Sequence, residues 1–135
     1  MKSFFLGLLF FSTLLFADTN HLREGVLAYN QKSYDKARHY FELAVSKDES
    51  ANAAYLLGKM YLYGEGVGID LKKAIEYLDF ARDNGNIPSG CYLSEAYMNA
   101  KTNTSYIAYG LMKGLKQGIP HCQKMLDRYF VYKDF

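Results

Sequence analysis

The sequence predicts an all-α fold, an α/α solenoid of stacked helix-turn-helix units, and three observations carry that prediction. Apolar residues recur three and four apart along most of the chain, as the buried face of a helix requires. One pattern of small and bulky residues occurs twice, first as Gly25, Ala37, Phe41 and Ala44 and again as Gly58, Ala74, Leu78 and Ala81. A looser echo follows, in which Pro88 and Pro120 stand 32 residues apart and each precedes a tyrosine by nine residues, Tyr97 and Tyr129. Internal repetition at such a period is the signature of a stacked array, because one helix pair cannot bury its apolar face alone.

The elements follow in order. Lys2 precedes an apolar run from Phe4 to Phe16 that ends at the small residue Ala17. Residues 1–17 read as a secretory signal peptide. The run holds about 13 residues, short of the roughly 20 that cross a bilayer, so the mature chain is expected from about Asp18 with no membrane span. Export to the periplasm or beyond the cell is the expected localisation.

One of the 16 basic residues, Lys2, falls in that leader, leaving 15 against 14 acidic residues. So balanced a chain argues against nucleic acid as a partner. The charge is uneven, however. From Lys101 onward Lys101, Lys113, Lys116, Lys124, Arg128 and Lys133 face only Asp127 and Asp134. Ordinary solvated helix faces account for this run, and an acidic partner is the sharper alternative.

Residues 18–50 form the first unit, with helices over about 20–30 and 34–46. Ser33 is the expected N-cap of the second, since its hydroxyl can accept an orphan backbone N–H. Residues 51–86 form the second unit, whose Gly58-to-Ala74 interval is 16 residues where Gly25 to Ala37 is 12. The four extra residues lie in the loop "GEGVG", 64–68. A phosphate-binding glycine loop must follow a strand and open a helix. Here Tyr55, Leu56, Lys59, Met60 and Tyr63 keep helical spacing ahead of the loop, and no Lys-Ser or Lys-Thr follows it. The glycines therefore read as turn residues supplying positive φ, with Asp70 capping a helix that starts at Leu71. Residues 87–118 form a degenerate third unit, in which Gly110 and Gly114 permit close packing. Residues 119–135 form a terminal capping helix, and Pro88 and Pro120 suit first turns.

At these residues the chain resembles a tetratricopeptide-type solenoid whose middle unit is of the Sel-like subclass. Ala51, Ala53, Tyr55, Leu57, Gly58, Tyr61, Gly64, Gly66, Val67, Asp70, Lys73, Ala74, Tyr77, Ala81 and Gly85 carry the resemblance, and the first unit is similar to an ordinary tetratricopeptide repeat. The resemblance implies a non-enzymatic scaffold or adaptor, expected as a monomer, that binds a peptide or protein on a concave face lined by the first helix of each pair. On that basis Asn52, Tyr55, Lys59, Tyr63, Tyr92 and Glu95 are the candidate partner-binding residues. Tyrosine suits such a face because it offers large contact area, a polar tip and few rotors to freeze. Any one of the 13 tyrosines, taken singly, reads first as core or inter-repeat packing.

Cys91 and Cys122 open the first helices of adjacent units, and an oxidising compartment permits them to pair. The repeat alignment sets Cys91 opposite Gln123, one residue away from Cys122. Packed helix axes lie 8–10 Å apart whereas a disulfide wants Cα atoms within about 7 Å, so both the bonded and the free state stay open. In leader and repeat the chain also resembles the exported cysteine-rich proteins of the Helicobacter type. Those pair cysteines at a short spacing across each repeat junction; here Arg82 stands near the place of the first partner of Cys91.

That second resemblance brings an alternative function, a penicillin-binding or β-lactamase-like hydrolase, because Ser33 to Lys36 spells S-x-x-K. The S-D-N and K-T-G elements that complete such a site are absent from the sequence, and Ser33 is already accounted for as a cap. A secreted host-interacting effector on the same fold is the remaining alternative. His21, His39 and His121 are scattered and read as surface histidines, so no metal, cofactor or catalytic set is expected.

Overall fold

The computed structural model of the protein describes residues 20–102 and 104–133. The leader, 1–17, lies outside the described residues. Seven helices follow one another among the described residues: α1 (His21–Asn30), α2 (Tyr34–Asp48), α3 (Ala51–Tyr63), α4 (Leu71–Asp83), α5 (Ser89–Asn99), α6 (Thr104–Lys116) and α7 (Pro120–Lys133). The all-α solenoid expected from the repeats is the fold observed.

Each boundary has a local cause. The side chains of Asn20, Ser50 and Asp70 accept the N–H of Arg23, Ala53 and Lys73 at 3.0, 3.2 and 3.0 Å, which caps α1, α3 and α4. Ser33 takes the N-cap position of α2, but its hydroxyl makes no cap bond. The backbone does not account for this, since Ser33 at φ −83° and ψ 67° lies close to Asn20 at φ −71° and ψ 75°, which does cap. Only its carbonyl engages α2, accepting the Ala37 N–H at 2.9 Å. Gly64 closes α3 at φ 72° and Gly66 follows at φ 68°, so the "GEGVG" segment is the turn its glycines imply. Gly66 has a second duty, since a Cβ there would run into Cβ of Tyr34 on α2.

Packing proceeds as a chain of neighbours. One core cluster joins α1, α2 and α3 through Ala28, Ala37, Phe41, Ala44, Ala53, Leu57 and Met60. A second joins α3, α4 and α5 through Tyr61, Leu62, Ala74, Leu78, Leu93 and Ala96. A third joins α5, α6 and α7 through Cys91, Ile107, Leu111, Cys122 and Met125. Every cluster thus contains one helix pair and the first helix of the next, which is how a solenoid buries what a single pair cannot.

The repeated glycines set the approach within each pair. A Cβ on Gly25 would lie 2.5 Å from the Phe41 ring, and one on Gly58 would lie 2.5 Å from Cγ of Leu78. The third unit inverts the arrangement. Ser94 stands where Gly58 stands in α3, and the glycine has moved to the facing helix as Gly110, whose Cβ would collide with the Ser94 Oγ. The buried Ser94 hydroxyl is satisfied, lying 2.8 Å from the Gly90 carbonyl and 3.3 Å from that of Ile107.

Cys91 and Cys122 stand at bonding distance, with Cα atoms 5.0 Å apart, inside the range a disulfide requires. Facing Cα atoms come this near at ordinary helix spacing because each lies about 2.3 Å off its axis, and Gly114 of α6 leaves room for both sulfurs, where any side chain would clash. Curvature follows from which helices touch. Among the described residues α1, α3, α5 and α7 each meet the next in turn, whereas α2, α4 and α6 do not meet one another. The odd-numbered helices accordingly form the inner, concave layer.

Candidate partner-binding face

On α3, Asn52, Tyr55, Lys59 and Tyr63 recur at three- and four-residue steps, which aligns them along one side of the helix. Tyr92 and Glu95 occupy the neighbouring side of α5. The structure brings five of these six side chains into a single contact group, and α7 contributes two more, His121 and Arg128.

Glu95 is the anchor. It is 5 % exposed, and three side chains from two other helices converge on its carboxylate. The Tyr63 hydroxyl donates to Oε2 at 2.7 Å, His121 Nε2 lies 2.9 Å from the same oxygen, and Arg128 reaches Oε1 at 3.4 Å. Burial by itself would push this carboxyl up. The hydrogen bonds from His121 and Tyr63, with the charges of His121 and Arg128, outweigh burial and hold it below the ordinary glutamate range. Tyr63 is displaced the opposite way, far above its usual value, by burial and by the adjacent carboxylate. Its hydroxyl remains a donor throughout the biological pH range.

Tyr92 is the centre of the aromatic part. Its ring stacks flat on His121, with centroids 3.8 Å apart and planes at 6°. The rings of Tyr55 and Tyr63 meet it edge-on at 5.3 and 6.4 Å. The Lys59 ammonium lies 5.3 Å from the Tyr55 centroid and 5.2 Å from that of Tyr92, within the range of a cation–π contact to both. Burial, followed by a hydrogen bond with Tyr92, pushes the Tyr55 phenol up as well. Asn52 stands at the end of the stripe, where its Oδ1 accepts the Asn86 amide at 2.9 Å and ties α3 to the segment ahead of α5.

His121 and Arg128 are the residues that sequence reasoning missed. His121 was expected as a surface histidine; its side chain is 18 % exposed and is held between Glu95 and Tyr92. A usable signal existed, because His121 and Arg128 are seven residues apart and share one side of a helix that the repeat places beside α5. Nothing in the sequence, however, specified the rotation of that helix.

Other residues singled out in the sequence lie elsewhere. Ser33 and Lys36 are both exposed at the start of α2, and the Lys36 ammonium lies 5.9 Å from the Tyr40 ring centroid. His21 pairs with Asp48 at 2.9 Å, which links the start of α1 to the end of α2. The Tyr29 hydroxyl donates to Glu65 at 2.5 Å and fastens the glycine turn to α1. No cluster of three metal-ligating side chains occurs among the described residues. No described helix is long and apolar enough to cross a membrane.

What this arrangement offers is a surface. Phenol edges, an amide, and the cations of Lys59 and Arg128 are presented along three adjacent helices, while the one carboxylate is internally satisfied. Residues 27–49 and 51–86 each match a family model, the Sel1 repeat. The first match falls on the unit expected as an ordinary tetratricopeptide repeat, and the matches end where the third unit begins. No curated protein and no solved structure gives a significant match.

Proposed function

We propose, taking as premise that this chain is a Sel1-like repeat protein, that it is an exported scaffold holding an extended segment of a protein partner across α3, α5 and α7. Sel1 repeats mediate protein–protein interaction in general, and what is specific here is the face. The observation that carries the proposal is a linked group on the concave layer: Tyr63, His121 and Arg128 meet the buried Glu95 carboxylate, and Tyr55, Lys59, Tyr63 and His121 gather around the Tyr92 ring. Aromatic and guanidinium groups held rigid by their neighbours are the kind that contribute most to partner affinity, because little entropy remains to be lost on binding. Export rests on the leader, Lys2 followed by the apolar run to Ala17.

The test is cross-linked capture from the protein's own cell envelope with wild type and Lys59→Glu as baits. Charge reversal removes the cation from between two tyrosine rings at a partly exposed position, so helical content is expected to persist while the captured partner is lost. An identical set of captured proteins from both baits overturns the assignment of this face. Export is tested separately by the N-terminus of the envelope protein, expected near Asp18; an intact leader in the soluble cell interior refutes it.

A further inference from the structure

Two pairs of sequence neighbours meet at one crossing. Cys91 precedes Tyr92 on α5, and His121 precedes Cys122 on α7. The cysteines point inward, fully buried in the third core cluster, while Tyr92 and His121 stack on the outside of the same crossing. Consecutive helix residues are separated by about 100° around the axis, so fixing one of them fixes the direction of the next.

We propose that the Cys91–Cys122 disulfide is a positioning device for the partner face. By locking the rotation of α7 against α5 it lays His121 on Tyr92 and delivers His121 and Arg128 to Glu95. The inference rests on reading this face as the partner surface, and it adds what holds the face in shape.

A covalent bond constrains the rotation of α7 more tightly than the non-covalent contacts described for it. Among the described residues α7 touches only α5 and α6. Among its described side chains Met125 is buried beside Cys122, and the partly buried Leu126 packs against the same cluster as Ile107 and Leu111 of α6. Arg128 is 43 % exposed and 3.4 Å from Glu95, a pair of the kind that solvent weakens. Tyr63, by contrast, reaches Glu95 from α3 without α7. The bond therefore governs the α7 half of the face and leaves the α3 half standing.

The ring protons of His121, observed by NMR, report the stack directly, because a tyrosine ring lying flat on them displaces their resonances upfield. Three samples of the free protein are compared: wild type, the double variant Cys91→Ala/Cys122→Ala, and wild type treated with a dithiol reagent. The reagent's two thiols supply the two electrons and two protons that turn the disulfide into two thiols, and it becomes a disulfide itself. The expected result is upfield displacement in wild type, its loss in both other samples, and unchanged amide-exchange protection in α1–α4. Displacement that survives in either cysteine-free or reduced protein overturns the proposal, as does an undisplaced His121 in wild type. Loss of protection throughout α1–α4 overturns it too, since the bond would then hold the whole stack. No partner enters the measurement, so its failure is distinct from that of the partner reading, which Lys59→Glu tests.

Discussion

The second unit and the C-terminal third solve the same packing problem with different chemistry. In α3 and α4 the pair closes over Gly58, which admits Leu78 and the backbone of Ala74, and non-covalent contact joins the helices: apolar packing, the stacked Tyr61 and Tyr77 rings, and Lys73 over the Tyr61 ring. In α5 to α7 the glycines sit on the middle helix instead, and Gly114 makes room for two sulfurs rather than for a leucine. The difference shows two ways of using a close approach: the room a glycine leaves can be filled by an apolar side chain, or by a bond that also constrains the unfolded chain.

That comparison can be broken at either end. The largest effect is expected from Cys91→Ala/Cys122→Ala. Releasing a loop with a sequence separation of 31 should cost about 2–5 kcal/mol of stability by denaturant unfolding. Exchange protection should fall first in α5–α7. Gly58→Val should do the reverse, because its side chain would overlap Leu78 and overpacking costs roughly 1–3 kcal/mol or more. In that variant α3 and α4 should lose protection while the disulfide-linked helices keep theirs; equal loss in both regions would mean the stack melts as one unit.

Smaller effects sharpen the contrast. The carboxyl of Glu95 is held below its ordinary value in the folded protein, so its contribution is fully present above the unfolded glutamate value of about 4.3 and is lost as pH falls through the lower folded value. The stability of wild type over Glu95→Gln should therefore shrink on acidification below about pH 4.3, read from paired unfolding curves. A gap that stays constant would separate Glu95 from the ionic link across α5 and α7. Least of all come the caps. Asp70→Ala should cost about 1 kcal/mol, whereas Ser33→Ala should cost only a few tenths, since one side chain makes the cap bond and the other does not.

Much of this was legible in the chain itself. Helical period, the repeated small residues and the cap and proline signals made the all-α solenoid legible, because a buried face must recur at helical period and a close approach must recur at a small residue. Asp70 was legible as a cap and "GEGVG" as a turn for the same reason, their chemistry being local. Ser33 shows the limit: its residue type suits a cap and its backbone lies close to that of the capping Asn20, yet its hydroxyl makes no cap bond. The face was half legible. Tyr55, Lys59, Tyr63, Tyr92 and Glu95 share helix sides that periodicity exposes, while the ties of Glu95 to His121 and Arg128 cross 26 and 33 residues.

By itself, then, the sequence determined the helices, their order and the glycine contacts inside the repeats, since each depends on residues that are close along the chain or repeat at a fixed interval. The tertiary structure alone decided how far α7 rotates and how near it comes. That is settled by the space Gly114 leaves for two sulfurs and by a buried carboxylate that must find donors wherever the fold supplies them. Periodicity names the side of a helix. It is the packing of its neighbours that fixes which residue that side will meet.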